Sequence, residues 1–282
     1  MSYIVFLLRI QTKYNIVCIV DKTKLPKRLP AAARLRSIRE HLTESASLSI
    51  SEMSAKLGVS DMTIRRDLAD LEKSADVRRT HGGAVVAERM AFEFNYLTRQ
   101  RANLNEKKAI AIEARKLVQP GQRLILDTGT TTLQLAALLK DCPELTVITP
   151  SLAVASELQF SENISVVLLG GVLHRGSPDL TGPVTEHCLE LFSADWVFQG
   201  AEALGDDGSI YNVDLQLAQV DKLMRKKATK SCLLADASKI GNTALAKTGT
   251  LSDFDVFVTN QSAPSAYLAQ ARKLARQVII AK

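Results

Sequence analysis

The sequence lacks the features that mark secreted, membrane-bound or metal-binding chains. Its four cysteines are far apart among 282 residues and match no metal-ligand spacing, so we interpret them as reduced thiols. The apolar runs at residues 3–10 and 16–20 are shorter than the roughly 20 residues that a membrane-spanning helix needs. No basic segment precedes the first run, and no small-residue cleavage site follows it. These absences predict a cytoplasmic protein, and no motif calls for a metal or another cofactor.

A substantial net positive charge is also missing from most of the chain. Residues 1–30 carry six Lys and Arg against one acidic residue, residues 31–90 carry ten against nine, and residues 91–282 carry twenty against twenty. The neutral C-terminal part therefore has no reason to bind nucleic acid nonspecifically. The first 28 residues are either a loose basic arm or the product of a start codon assigned too far upstream, and we favour the second interpretation.

Residues 59–71 predict a DNA-recognition helix. Ser60 is a suitable N-cap residue, and Ile64, Leu68 and Leu71 form one apolar stripe at helical spacing. Arg65 and Arg66 point away from that stripe, where one could bind a guanine edge and the other a phosphate. An Arg-Arg pair by itself is more often a solvated helix surface, so the interpretation depends on the elements around it.

Those elements predict a winged helix-turn-helix. A helix at residues 51–57 ends at Gly58, which leaves three residues before the recognition helix. A further helix at 34–43 completes a small core, and strands at 77–80 and 84–86 form a wing across Gly82 and Gly83, where paired glycines suit a turn with positive φ. The predicted DNA-contacting residues are Ser60, Met62, Thr63, Arg65, Arg66, Arg78, Arg79 and His81.

The C-terminal part alternates strands and helices, which predicts a mostly parallel α/β sheet covered on both faces. Strands are predicted at residues 123–126, 145–148, 164–169, 196–198, 231–235 and 256–259, and helices at 105–117, 132–139, 152–158 and 215–228. In the helix at 105–117, the expected inner side consists of Ala109, Ile112, Ala114 and Leu117.

Ligands of such sheets bind at the carboxyl ends of the strands, where this sequence places small polar residues. Asp127 and Gly129 follow the first strand, and Thr130, Thr131 and Thr132 lead into a helix, whose positive end suits a phosphate. The loop is neither a Walker loop nor a dinucleotide fingerprint, and threonines at that place are often only caps. Further candidates for effector binding follow other strands: Gly170, Gly171, Arg175, Gly200, Asp236 and Lys239.

Residues 29–87 resemble the N-terminal domain of DeoR-family bacterial transcription regulators. The matching stretches are Val59-Ser60, Thr63-Ile64-Arg65-Arg66-Asp67-Leu68, Leu71-Glu72 and Arg79-Thr80-His81-Gly82-Gly83-Ala84. One departure lies after the recognition helix, where the family usually has a glycine and an apolar residue and this chain has Ala75 and Asp76.

Residues 106–260 resemble the effector domain of the same family, which is similar in fold to ribose-phosphate isomerase. The matching motifs are the loop at 127–132, the pair Gly170-Gly171, Asp195-x-x-Phe198-x-Gly200 and Asp236-x-Ser238-Lys239. The resemblance implies that Asp127 meets sugar hydroxyls, that Thr130 to Thr132 bind phosphate, and that Lys239 binds the phosphate or a hydroxyl. The sequence departs from the family at Gln216, Leu217, Gln219 and Asn260, where acidic residues are common.

The sequence as a whole predicts four segments: an N-terminal extension (1–28), a winged helix-turn-helix domain (29–87), a connector (88–104) and an effector-binding α/β domain (105–282). We expect a homo-oligomeric repressor of a sugar-catabolism operon, which binds double-stranded operator DNA and is relieved by a phosphorylated sugar. The alternatives are a regulator whose pocket no longer responds and, much less favoured, an isomerase-like enzyme, because the sequence offers carboxylates but no clear catalytic pair.

Overall fold

The computed structural model describes residues 29–45, 47–73, 77–80, 82–86, 96–174 and 177–282. The chain divides into two compact units, Met1–Ala87 and Glu88–Lys282. The predicted N-terminal extension, Ala75, Asp76 and residues 88–95 of the predicted connector lie outside the described residues.

The first unit is a helix-turn-helix with a small antiparallel sheet. Its elements are α1 (Ala31–Ser45), β1 (Ser47–Ser49), α2 (Ile50–Leu57), α3 (Asp61–Lys73), β2 (Val77–Arg79) and β3 (Gly83–Val86). Gly58 ends α2 in the left-handed conformation (φ 63°), which glycine adopts without a steric penalty. Ile64, Leu68 and Leu71 of α3 are buried against α1 and α2. The predicted winged helix-turn-helix is therefore confirmed.

The sheet of this unit contains a strand that the sequence does not predict. β1 pairs with β3, which also pairs with β2. Gly83 is the first residue of β3, and a Cβ added there would lie 1.8 Å from the carbonyl oxygen of Leu48. Close approach of β1, instead of the predicted turn geometry, is what requires glycine at this position.

The second unit is an α/β domain. Its first described helix, α4, covers residues 96–101. The elements that follow are α5 (Leu104–Arg115), β4 (Arg123–Leu126), α6 (Thr130–Leu139), β5 (Leu145–Thr149), α7 (Leu152–Leu158), β6 (Ile164–Leu168), β7 (Val172–Leu173), β8 (Leu180–Thr181), α8 (Pro183–Glu190), β9 (Ala194–Gln199), β10 (Ala203–Leu204), β11 (Ser209–Asn212), α9 (Leu215–Lys226), β12 (Ala228–Leu234), β13 (Ala246–Thr250), β14 (Val256–Asn260), α10 (Ser265–Leu274) and β15 (Gln277–Ala281).

Seven of these strands form one parallel sheet in the order β15-β14-β12-β9-β4-β5-β6. Alternate residues of a strand enter cores on opposite faces. In β4, Leu124 and Leu126 pack with α5, α6 and α7, whereas Ile125 packs with α8 and α9. The predicted parallel sheet with helices on both faces is confirmed, and the antiparallel strands β10, β11 and β13 form a smaller sheet beside it.

The inner face of α5 is confirmed in part. Ala114 is buried, and Ala109 and Leu117 pack against the same core, as predicted. Ile112 is instead half exposed, while Ile110, Ala111 and the side chain of Lys107 are buried. The several alanines of this helix give its apolar stripe no clear direction, so the sequence does not indicate which of these positions face the core. The error matters because Lys107 contributes to a cavity described below.

Candidate functional site

The recognition helix α3 presents a polar face opposite its buried stripe. The hydroxyl of Ser60 accepts a hydrogen bond from the amide of Thr63 (3.3 Å), which supports the predicted cap. Arg65 and Arg66 are exposed, and Met62 is 69% exposed. Exposed cations and an exposed apolar side chain near the N-terminal end of this helix suit contacts in the major groove.

A bidentate ion pair joins the recognition helix α3 to α1. Arg34 of α1 donates from Nε to Oδ2 of Asp67 (2.8 Å) and from an Nη to Oδ1 (2.9 Å). The two side chains are only 13% and 5% exposed. Asp67 therefore belongs to the scaffold that orients α3, whereas its neighbour Arg66 faces solvent.

The wing is described only in part. The side chain of Arg78 and the whole of His81 lie outside the described residues. Arg79 is exposed, but its Nε donates to Glu72 of α3 (2.6 Å), an interaction that lowers the pKa of Glu72. Because exposed ion pairs are weak, DNA phosphate can compete with Glu72 for this arginine.

In the second unit, a cavity of about 320 Å³ lies at the carboxyl ends of the central strands β4, β9 and β12. Of the residues predicted to bind an effector, seven line it: Asp127, Gly129, Thr130, Thr131, Gly200, Asp236 and Lys239. These come from loops far apart in sequence, and the parallel sheet brings them together as its topology requires.

Three of the other predicted effector-binding residues do not line the cavity. Thr132 is completely buried, and its hydroxyl donates to the carbonyls of Asp127 (2.9 Å) and Gly129 (2.6 Å), so it shapes the loop instead of facing a ligand. Gly170 and Gly171 pack against α8, where Thr185 donates to the carbonyl of Gly170 (2.7 Å). The remaining one, Arg175, lies outside the described residues.

Asp127, Asp179 and Asp221 are carboxylates that line the cavity. The Asp127 carboxylate accepts hydrogen bonds from the amides of Thr128 (2.6 Å) and Gly200 (2.9 Å), yet burial raises its pKa. Burial raises the pKa of Asp179 to about 6, and burial together with the charge of Asp127 raises the pKa of Asp221 well above its usual range. Carboxylates held in this way can accept hydrogen bonds from the hydroxyls of a polyol.

Three cations also line the cavity. Arg99 comes from α4, Lys107 from α5, and Lys239 from the turn after β12. The ammonium of Lys107 donates to the carbonyls of Ala102 (2.8 Å) and Arg99, which anchors the end of α4. Glu202 lies between the other two cations and pairs with both of them.

Two side chains hold the backbone of the loop that carries Lys239. Asp236 caps the turn by accepting from the amide of Ser238 (3.0 Å), and Asn260 accepts from the amide of Ala237 (2.8 Å). Asn260, one of the departures from the family pattern, therefore supports the loop. Leu217, another departure, lines the cavity, whereas Gln216 accepts a hydrogen bond from Thr181 (3.1 Å).

Several lining residues were missed by the sequence analysis. They are Arg99, Lys107, Asp179, Glu202, Asn212 and Asp221. None of them follows a strand of the central sheet directly, so the rule that located the other loops could not find them. Among the described residues, no group of three or more His, Cys, Asp or Glu side chains is arranged to hold a metal ion. The helices of the described chain include none long and apolar enough to cross a membrane.

Comparison with known proteins gives matches over both units. Residues 34–90 match the family model of the DeoR-like helix-turn-helix domain, and residues 102–261 match that of the DeoR C terminal sensor domain. The chain is 37% identical to an uncharacterized HTH-type transcriptional regulator, YulB, of Bacillus subtilis over 81% of this chain and 88% of the relative. It is 35% identical to the HTH-type transcriptional regulator GlpR of Haloferax volcanii over 81% and 89% of the two chains.

A further relative is the glycerol-3-phosphate regulon repressor of Haemophilus influenzae, at 33% identity over 80% of this chain and 88% of the relative. Among solved structures, the fold is distantly similar to ribose 5-phosphate isomerase A of Methanocaldococcus jannaschii. The TM-score is 0.37 at 20% identity, over 49% of this chain and 55% of the other.

Proposed function

Because the chain belongs to the DeoR family of transcriptional regulators, we propose that it represses a sugar-catabolism operon and that a phosphorylated sugar releases it from DNA. The helix-turn-helix unit binds the operator, and the exposed face of α3 reads it through Arg65 and Arg66. We also propose that the protein acts in the cytoplasm as a symmetric oligomer, because winged-helix regulators read paired half-sites.

The observation that carries the effector class is the presence of both cations and carboxylates in the cavity. Its cations, together with the N-terminal end of α6 at Thr130 and Thr131, suit a phosphate. Its carboxylates suit the hydroxyls of a sugar or polyol. Relatives named as repressors of an aga operon and of a glycerol-3-phosphate regulon support an effector of this class.

The alternative of a degenerate pocket is less favoured. A pocket without a ligand has no reason to contain three cations and five carboxylates, because charged groups are costly to bury. The departures at Gln216 and Asn260 leave this set intact, since both residues make hydrogen bonds within the scaffold.

The test is fluorescence anisotropy of the purified protein on its own upstream intergenic DNA, compared with scrambled DNA at fixed salt. A panel of sugar phosphates, each paired with its unphosphorylated sugar, is added to the preformed complex. We expect selective binding that one phosphorylated compound releases. Selective binding that no compound disturbs would refute the effector proposal, and binding without selectivity would refute the operator proposal.

Lys239→Ala is the matched perturbation of the cavity. It should leave operator affinity within about twofold of wild type and abolish release by the effector, because Lys239 supplies a point charge to the phosphate. Lys140→Ala removes a lysine that pairs with Glu157 on the surface (2.6 Å) and should change neither property. If Lys239→Ala destroys operator binding while the protein stays folded, the two-site picture is wrong.

A further inference from the structure

The effector cavity already contains an anion of its own, the carboxylate of Glu202. It forms an ion pair with an Nη of Arg99, and its other oxygen lies 3.5 Å from the ammonium of Lys239. The two cations come from different elements, α4 and the turn after β12, and Glu202 is the carboxylate that contacts both.

This contact is more than a solvated surface pair. The side chains of Glu202 and Lys239 are 24% and 23% exposed, and that of Arg99 is 36% exposed. Burial lowers the pKa of Lys239, and the neighbouring charge of Arg99 lowers it further. Two partly buried cations that repel one another require an anion between them, and in the absence of an effector Glu202 supplies it.

Glu202 leaves part of the donor set unused. The Nε of Arg99 is buried and has no hydrogen-bond partner among the described residues. A guanidinium offers five donors in a planar fork, which a phosphate with three terminal oxygens can occupy more fully than one carboxylate oxygen does. A phosphate in the place of the Glu202 carboxylate can therefore contact both cations and use more of their donors than Glu202 does.

The exchange needs movement of one side chain. The amide of Glu202 donates to the carbonyl of Tyr211 (3.2 Å), which fixes the backbone just before β10. The carboxylate lies at the end of a flexible side chain and can rotate into solvent without disturbing that pairing.

Building on the proposed effector class, we infer that Glu202 is an internal competitor for the anion site and thereby a determinant of effector specificity. A ligand must displace the Glu202 carboxylate from Arg99 and Lys239, which favours a dianionic phosphate over a neutral sugar or a sugar acid with a single charge. Glu202 thus sets the minimum charge that a ligand of this cavity carries.

Inorganic phosphate is the probe for the test, because it has the anion but no sugar hydroxyls. Its affinity for the full-length protein is measured by isothermal titration calorimetry for wild type and Glu202→Gln. The amide keeps the size of the side chain but removes the competing charge. We expect Glu202→Gln to bind phosphate about tenfold more tightly, equivalent to about 1.4 kcal/mol.

Glu157→Gln is the matched control, since it makes the same change in net charge at the surface pair with Lys140. Its phosphate affinity should equal that of wild type. Adding Lys239→Ala to Glu202→Gln should abolish the gain. Glu202→Ala, which also removes the carboxylate, provides a second variant, and circular dichroism and operator binding establish that each variant is folded.

The outcomes separate this inference from the proposed function. If wild type binds phosphate through Lys239 but Glu202→Gln and Glu202→Ala bind it no more tightly, Glu202 is not a competitor and the proposed effector class stands. If Glu157→Gln gains as much as Glu202→Gln, net charge explains the effect and the inference is wrong. If no variant binds phosphate and no sugar phosphate releases DNA, the proposed effector class itself fails.

Discussion

Asp67→Ala is expected to destabilise the helix-turn-helix unit by about 2–3 kcal/mol, because it leaves the guanidinium of Arg34 without its partner. Asp67 accepts two hydrogen bonds from Arg34, at 2.8 and 2.9 Å. Among the described residues, the guanidinium of Arg34 then keeps one hydrogen bond, to the carbonyl of Leu29 (2.7 Å). The substitution therefore removes the ion pair that joins α1 to the recognition helix.

The magnitude follows from the burial of the pair. Exposed ion pairs contribute about 0–1 kcal/mol, whereas removing one partner of a fully buried pair costs about 3–5 kcal/mol. Asp67 is 5% exposed and Arg34 is 13% exposed, so the carboxylate is buried and the guanidinium is partly buried. The unit is small, however, and Arg34 lies close to its surface, so water can partly solvate the stranded charge and the cost falls between the two limits.

Urea denaturation of the full-length protein can resolve this effect. The single tryptophan, Trp196, belongs to β9 in the second unit, so its fluorescence reports the unfolding of that unit. We expect Asp67→Ala to move the circular dichroism transition of the first unit to lower urea and to leave the Trp196 transition unchanged. Operator binding should be lost at a correspondingly lower urea concentration.

Glu40→Ala is the control within the same unit. Glu40 pairs with Arg36 on α1, but the two side chains are 61% and 82% exposed, so the change should be within about 0.5 kcal/mol. The reasoning is refuted if Asp67→Ala costs no more than Glu40→Ala. It is also refuted if the effects of Arg34→Ala and Asp67→Ala simply add in the double variant, because two partners of one ion pair must be coupled.

Two further predictions concern the recognition helix and Asp179 of the cavity. Arg66→Ala should weaken binding to the operator by about 1–3 kcal/mol without a matching loss on scrambled DNA, measured by anisotropy at several salt concentrations. An equal loss on both DNAs, with a smaller salt dependence, would instead assign Arg66 to a phosphate. Asp179→Asn should stabilise the second unit near pH 7.5, because the pKa of Asp179 is raised to about 6 and its ionised form disfavours the folded state. The gain, at most about 2–3 kcal/mol, should shrink as the pH falls through 6 and vanish below about 4, where the carboxyl is protonated in both states. Trp196 fluorescence in urea at each pH measures it, and a gain that does not depend on pH would contradict the assignment.

The sequence predicted best those elements whose apolar pattern is unambiguous. The stripe Ile64, Leu68, Leu71 located α3, and the bounds of β4 and α7 match the predicted residues 123–126 and 152–158. Short antiparallel strands such as β10 and β11 were not predicted, because two to four residues carry no periodic signal and their pairing depends on distant partners. In α5, alanines lie on several sides of the helix, so the sequence pattern did not indicate the orientation that buries Lys107.

The cavity was predictable only where a residue directly follows a strand. Asp127, Gly200 and Asp236 could be found by that rule, because parallel strands end at one edge of the sheet. Arg99 lies in α4 and Glu202 in the loop before β10, and the position of both depends on tertiary packing, so no local pattern identifies them. Thr132 shows the opposite difficulty: a threonine that begins a helix has the same sequence signature whether it binds a ligand or its own backbone.

The carboxylates of the cavity would also suit an aldose–ketose isomerase, and their contacts argue for binding instead. A general base needs a lone pair directed at the proton that it removes, within about 3 Å. Both oxygens of Asp127 accept a backbone amide, from Thr128 and Gly200, which fixes the orientation of the carboxylate and stabilises its ionised form. Asp221 accepts from the side-chain amide of Asn212 (2.9 Å). A ligand held by oriented acceptors and by cations, in a chain that also carries a helix-turn-helix unit, needs only to bind the DNA-free form more tightly than the DNA-bound form. Regulation requires only this difference in binding affinity, so a catalytic reaction of the ligand is not needed to explain the carboxylates of the cavity.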